Sequence, residues 1–258
     1  MSEVGDSRRA RTRGTASGVL TAPADSPPPA LRALLVALTG ATGLIDAVSY
    51  LGVGHVFVAN MTGNVALLGF ALSGASGLSV AASLAAVAGF LVGAVGGGRW
   101  GVAASRWPRL WLPLATAGQT VLVGAVAAAM LTGAVGPVGS SRLGLLAVLG
   151  VAMGIQNATV RRLAIPDLTT TVLTQTLTGL AAESSFGGGT NVRWLRRAGA
   201  VAAMLVGALA GGLLTLHAGL PTALAVTAVV FALVTVGFVV AGTERTAGVQ
   251  PAVPSHSG

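Results

Sequence analysis

The chain has 258 residues, of which 53% are hydrophobic and only 9% are charged, and its apolar runs recur from end to end. This composition is typical of a polytopic membrane protein and leaves no room for a soluble domain. The net charge of +8 comes from arginines between the apolar runs, where they orient spans and meet anionic lipid, so no nucleic-acid partner is expected. With no cysteine and three histidines, neither a metal site nor a cofactor is expected.

Three regions follow in chain order. Residues 1–30 carry "SRRARTR" and then a proline-rich stretch without an apolar core, which predicts a disordered cytoplasmic tail rather than a signal peptide. Residues 31–241 form the predicted transmembrane domain, and 242–258 a second disordered cytoplasmic tail. Six apolar runs each approach the roughly 20 residues needed to cross a bilayer: 31–53, 78–98, 111–132, 143–160, 198–217 and 220–241. The predicted fold is therefore all-α, with about six transmembrane helices.

The first run ends in a polar stretch, "GLIDAVSYLGVGHVFVANMTGN", at 43–64. Asp46 is an acid deep in a predicted span, where an ionised carboxylate costs at least ~2.5–3.5 kcal/mol and must be paired, hydrated or protonated. Ser49 and Tyr50 follow three and four residues later, on the same helical face. These side chains are candidates for a cation, proton or polar-solute site. The alternative is hydrogen bonding between helices without a transport role.

Two segments, 56–72 and 168–183, are short and mix apolar residues with threonine and asparagine. In the first, Asn60, Thr62 and Asn64 are good helix caps, and in the second Thr174 and Gln175 occupy the places of Thr62 and Gly63. Each segment predicts a re-entrant half-helix whose N-terminal amides face the protein interior and could hold an anionic or carbonyl group. A bent helix with capping residues, or a complete crossing, is the alternative.

The chain also matches itself. "VAGFLVGAVGGG" at 87–98 aligns with "VAAMLVGALAGG" at 201–212, and "GLIDA" at 43–47 aligns with "GIQNA" at 154–158. This pairs Asp46 with Asn157, which lies beside Gln156 and joins it as a site candidate. The alignment predicts an internal repeat, with repeat one at 31–132 and repeat two at 143–241.

The number of spans decides the orientation of the repeats. Six spans give three crossings in each half and invert the second half, whereas eight spans make the repeats parallel. With six spans and both termini in the cytoplasm, 14 of the 15 arginines lie on the cytoplasmic side, against 10 with eight spans. The positive-inside rule therefore favours six.

Small residues recur every four positions in both halves, at Ala85, Gly89, Gly93 and Gly97 and at Gly199, Ala203, Gly207 and Gly211. Such stripes are typical of close helix packing. Their equivalent places in the two repeats predict that these two spans cross near a pseudo-twofold axis.

"GLIDAVSYLGVGHVFVANMTGNVALLG" and "AMGIQNATVRRLAIPDLTTTVLTQTLTGLA" resemble the YoaK family of bacterial integral membrane proteins, a domain of unknown function, over about 33–241. The resemblance implies a multi-pass protein of the bacterial inner membrane and no established substrate.

Function rests on the polar segments. The chain has no HExxH, GxSxG or Walker-type motif, so an enzyme is not expected. We predict a small-solute transporter or channel-like protein with a polar site near the bilayer midplane. Its partners would be the lipid bilayer and an unknown small solute, with homo-oligomerisation left open. A non-transporting membrane sensor or assembly factor is the alternative.

Overall fold

A computed structural model describes residues 28–103, 111–163, 173–189 and 194–247, and all regular structure in these ranges is helical. Eight α-helices follow one another: α1 Pro29–Val48, α2 Met61–Leu72, α3 Val80–Ala103, α4 Trp111–Leu131, α5 Gly139–Leu163, α6 Leu173–Ala182, α7 Trp194–His217 and α8 Leu220–Ala247. A π-helix at Ser49–Gly54 continues α1. The predicted all-α polytopic fold is confirmed.

Six of these helices are long and apolar enough to cross a membrane: Pro29–Gly54, Val80–Ala103, Trp111–Leu131, Gly139–Leu163, Trp194–His217 and Leu220–Ala241. They contain the six predicted runs, with small shifts at the ends. Helix α1 begins at Pro29 because proline suits the first helical position, where an N–H has no partner. Helix α8 continues to Ala247, so both helices enter the predicted tails 1–30 and 242–258. The remainder of each tail lies outside the described residues.

Helices α2 and α6 have 12 and 10 residues. At 1.5 Å per residue they are about 18 and 15 Å long, well short of a hydrocarbon layer of about 30 Å. They occupy the predicted short segments 56–72 and 168–183, of which 168–172 lies outside the described residues. Within the described residues there are thus six helices long enough to span a membrane and two half-length helices, as the six-span interpretation predicts.

The glycine stripes lie at the closest helix contacts. Gly93 faces the backbone of Val151 on α5, and Gly207 faces the carbonyl of Gly40 on α1. Gly89, Gly97 and Gly211 make the same kind of contact with Ala147, Ile155 and Leu44. At each interface the residue numbers of the two helices increase together from one contact to the next. Helix α3 therefore runs parallel to α5, and α7 runs parallel to α1.

Two expectations about the stripes need correction. The stripes on α3 and α7 do not pack on each other, because α3 packs on α5 and α7 packs on α1. Among the long helices that the repeat makes equivalent, it is α4 and α8 that are in extensive contact. Gly199 takes no part in close packing either, since a methyl group added there would meet open space.

The two glycine-packed interfaces match residue by residue. Gly43 packs on the backbone of Met204, and Gly154 packs on the backbone of Phe90. Gly43 and Gly154 are 111 positions apart, and Phe90 and Met204 are 114 apart. These are the offsets of the two aligned segment pairs, 43–47 with 154–158 and 87–98 with 201–212, so the sequence repeat recurs in the contacts between helices.

Helices α1 and α5, which the repeat aligns, run antiparallel. A methyl group on Gly54, near the end of the first span, would lie 3.4 Å from the side chain of Arg142, near the start of α5. Further along α5, and earlier in α1, Gln156 donates a hydrogen bond to the hydroxyl of Thr42 at 2.8 Å. From the first contact to the second, residue numbers fall in α1 and rise in α5, so the two helices are antiparallel.

A candidate polar site between two half-helices

The chain reverses direction directly after the first span. The π-helix ends at Gly54, and His55 takes a left-handed conformation with φ of 53°. The Tyr50 ring packs edge-on against His55 at 5.5 Å and stacks on Phe57 at 4.9 Å, both measured between ring centroids. These contacts bring residues 56–60 back alongside α1. Tyr50 therefore supports the turn.

Asp46 holds the returning segment, residues 56–60, in place. Its side chain is 4% exposed, and its Oδ1 accepts hydrogen bonds from the backbone N–H groups of Val58 at 3.0 Å and Ala59 at 2.8 Å. Its Oδ2 is buried and has no hydrogen-bond partner. The Ser49 hydroxyl donates to the Asp46 carbonyl at 3.1 Å. One carboxylate oxygen thus anchors backbone inside the span region, and the other is unused.

Asparagines hold the other side of the same loop. Asn64 is fully buried, its Nδ2 donates to the carbonyl of Phe57, and its Oδ1 accepts from the Phe57 N–H at 2.8 Å. This pair of bonds satisfies backbone groups that have no helical partner. Asn60 is the N-cap of α2 and accepts from the N–H of Gly63 at 3.1 Å. Helix α2 therefore begins at the depth of Asp46.

A cavity of about 410 Å³, which we call the Asp46 cavity, lies where α2 and α6 begin, beside α1 and α7. Its polar wall includes Asp46 and the first-turn residues Thr62 and Thr174 of the two half-helices. The full lining is Thr42, Asp46, Ala59, Asn60, Thr62, Gly63, Ala66, Leu173, Thr174, Leu177 and Met204. Two half-helices thus direct their N-terminal ends at one polar space.

A second cavity of about 710 Å³, the Asn157 cavity, lies on the other side of the start of α2. It is bounded by α3 and α5 and extends to Arg161 and Arg162 in the last turn of α5. Ala59, Asn60 and Thr62 line both cavities. The wall between the two cavities is therefore the backbone that Asp46 holds.

A buried chain of amides crosses the core next to the Asp46 cavity. Gln119 on α4 donates to Oε1 of Gln156, and Gln156 in turn donates to Thr42, which lines the cavity. Oε1 of Gln119 is buried without a partner. Sequence reasoning missed Gln119 and Thr42. A lone glutamine in the apolar run 111–131 was the available signal.

Helix α6 is tied to α7 by Arg197, which is 5% exposed. Its guanidinium donates to the carbonyl of Gly179 at 2.8 Å and pairs with the carboxylate of Glu183 at 2.8 Å. In the sequence, Arg197 contributes only to the predicted orientation. An arginine at the end of a span does not reveal that a short helix folds back against it.

The structure divides the ten predicted site residues into two groups. Asp46, Asn60, Thr62, Asn157 and Thr174 line the cavities. Ser49, Tyr50, Asn64, Gln156 and Gln175 line neither: the first four bond to or pack on the helices and the loop, and Gln175 is exposed. Residues 164–172, which precede α6, lie outside the described residues.

The fold and these buried polar groups define an all-α polytopic membrane protein with two half-length helices around a polar cavity. The chain belongs to the family of proteins of unknown function DUF1275, whose sequence profile matches residues 34–237. It is 34% identical over 154 residues to the UPF0700 transmembrane protein YoaK of Bacillus subtilis (strain 168), a match that covers 59% of this chain and 66% of that protein. No solved structure matches.

Proposed function

We propose that the protein is a small-solute transporter or channel-like protein and that its solute passes through the Asp46 cavity. The observation that carries the proposal is the meeting of two half-helix N-terminal ends at a cavity lined by a buried acid with an unused oxygen. Discontinuous helices that end inside the membrane are how many transporters build sites near the midplane. Backbone that leaves its helix at that depth is tolerated where it is buried in protein or lines a wet cavity.

We infer an inverted repeat from the same structure. Helix α5 runs antiparallel to its repeat mate α1, and the glycine contacts of α3 with α5 recur between α7 and α1. Repeats related in this way have two equivalent packings that can exchange, which is the basis of alternating access. The wall at Ala59, Asn60 and Thr62 between the two cavities is the natural barrier in such a cycle.

We further infer that both termini are cytoplasmic in a bacterial inner membrane. Arg32, Arg99, Arg161 and Arg197 lie at ends of spans that six crossings bring to one side, whereas Arg142 lies at the opposite side. An excess of arginine marks the cytoplasmic side.

The test uses a side chain that fills the Asp46 cavity. Ala66 lines the cavity and its neighbour Val65 does not, although both residues are exposed. Proteoliposomes with the wild-type chain, Ala66→Trp or Val65→Trp would be challenged with urea, glycerol and the chlorides of sodium, potassium and ammonium. Flux would be followed by light scattering and an internal pH dye.

We expect flux of at least one probe in the wild type, retained in Val65→Trp and lost in Ala66→Trp. Equal flux in both variants would place the path elsewhere. Absence of flux of every probe in the wild type would favour the alternative of a non-transporting sensor or assembly factor.

A further inference from the structure

The two carboxylate oxygens of Asp46 have different surroundings. Oδ1 is occupied by the N–H groups of Val58 and Ala59. Oδ2 is buried, accepts no hydrogen bond of normal geometry, and belongs to a residue that lines the Asp46 cavity. The backbone N–H of Asn60 also interacts with this carboxylate. A buried acceptor without a donor loses the hydrogen bonds it would make to water. A ligand that brings a donor or a positive charge to Oδ2 would restore them.

The remaining polar lining of the cavity also offers oxygen. Thr42, Thr62 and Thr174 contribute hydroxyl groups, Asn60 contributes an amide, and no arginine, lysine or histidine is present among the described lining residues. The basic side chains Arg161 and Arg162 line the other cavity. The carboxylate therefore has no positive side chain beside it within the described lining.

The N-terminal end of α2 does not make the cavity a site for an anion. Asn60 already accepts the hydrogen bond of the Gly63 N–H, and Asp46 accepts those of Val58 and Ala59. With the Gly63 N–H occupied and a carboxylate at the same place, an anionic group at this end of α2 would be repelled by the acid.

We propose that the Asp46 cavity binds a compact cation at Oδ2, either a free monovalent ion or the ammonium group of an organic solute. The proposal rests on the proposed function, because it names the chemical class that the transport site takes. Oxygen ligands and a single buried carboxylate suit alkali ions and ammonium groups alike. A cation there neutralises a carboxylate that is costly to keep ionised inside the membrane.

The variant Asp46→Asn separates ligand binding from loop structure. An asparagine oxygen can still accept from Val58 and Ala59, while its Nδ2 would replace the free oxygen with a donor that repels a cation. Thermal unfolding of purified protein would be measured in sodium, potassium, ammonium and methylammonium chloride. Choline chloride at the same ionic strength is the bulky-cation control.

We expect a saturable rise of the apparent Tm in the wild type with at least one of these four salts over choline. In Asp46→Asn the apparent affinity should be weaker by about tenfold or more, since a hydrogen bond to a charged group is lost. A response to methylammonium alone indicates an organic amine, and a response to sodium or potassium indicates a free ion. Responses equal to choline in the wild type, or unchanged in Asp46→Asn, would overturn the proposal.

A second pair of variants keeps the test decisive if Asp46→Asn does not fold. Thr174→Val removes a hydroxyl from the cavity lining. Thr178→Val removes a hydroxyl that donates to the carbonyl of Thr174 and does not line the cavity, and both residues are exposed. Thr174→Val should weaken cation binding and Thr178→Val should not, and equal effects count against the site. Cation binding without flux would support the cation site and count against transport. Flux without cation binding would support transport and count against the cation site.

Discussion

Replacing Gly93 with alanine tests whether helices α3 and α5 are in backbone contact. A methyl group at Gly93 would lie 2.8 Å from both the carbonyl carbon and the Cα of Val151. Both are backbone atoms, so no side chain can rotate away and the helices must separate. Overpacking of this kind costs about 1–3 kcal/mol. At Gly96, three residues later on the same helix, a methyl group would meet open space, and alanine should stabilise the helix by about 0.5–1 kcal/mol.

The two variants should therefore differ by about 1.5–4 kcal/mol, the sum of the two effects. At about 2–4 °C per kcal/mol for a chain of this size, the difference in Tm in detergent is large enough to measure. The second interface offers the same pair: Gly207 packs against Gly40, and Gly199 faces open space. Gly93→Ala unfolding at the same temperature as Gly96→Ala would refute close packing of α3 on α5.

Two further predictions concern the loop and the topology. Asn64→Asp should destabilise the protein by about 1–3 kcal/mol, because the carbonyl of Phe57 loses its donor, and the midpoint of thermal unfolding measures this; an unchanged midpoint would argue that Asn64 does not hold the loop. The chain has no native cysteine, so an impermeant thiol reagent should label Ser76→Cys and Ser140→Cys in intact cells, and Ala103→Cys only after permeabilisation. The reverse pattern would be incompatible with cytoplasmic termini.

The six spans were predictable because each depends on a local property, the length of an apolar run, and the two short helices because their runs are brief and rich in threonine and asparagine. The glycine stripes likewise follow from spacing. Their partners do not, since Gly93 and Val151 lie 58 positions apart and the repeat shows which helices are equivalent without showing which ones touch.

The roles of the polar residues were less accessible. Asp46 and Asn64 look alike in the sequence, as polar groups among apolar ones. The turn at His55 decides that Asn64 is consumed by the backbone of Phe57, while Asp46 retains a free oxygen. Ser49 and Tyr50 were expected on the helical face of Asp46. The Ser49 hydroxyl bonds to the Asp46 carbonyl and Tyr50 packs on His55 and Phe57, so neither residue lines a cavity.

Water and solutes should reach the space between the two half-helices, and the reactivity of single cysteines measures this access directly. Thr62 lines both cavities, and Val65, one turn further along α2, lines neither. In proteoliposomes a small, charged, membrane-impermeant thiosulfonate should modify Thr62→Cys quickly and Val65→Cys slowly, because thiolate forms readily only in contact with water. A Thr62→Cys as unreactive as Val65→Cys would contradict an aqueous site beside Asp46.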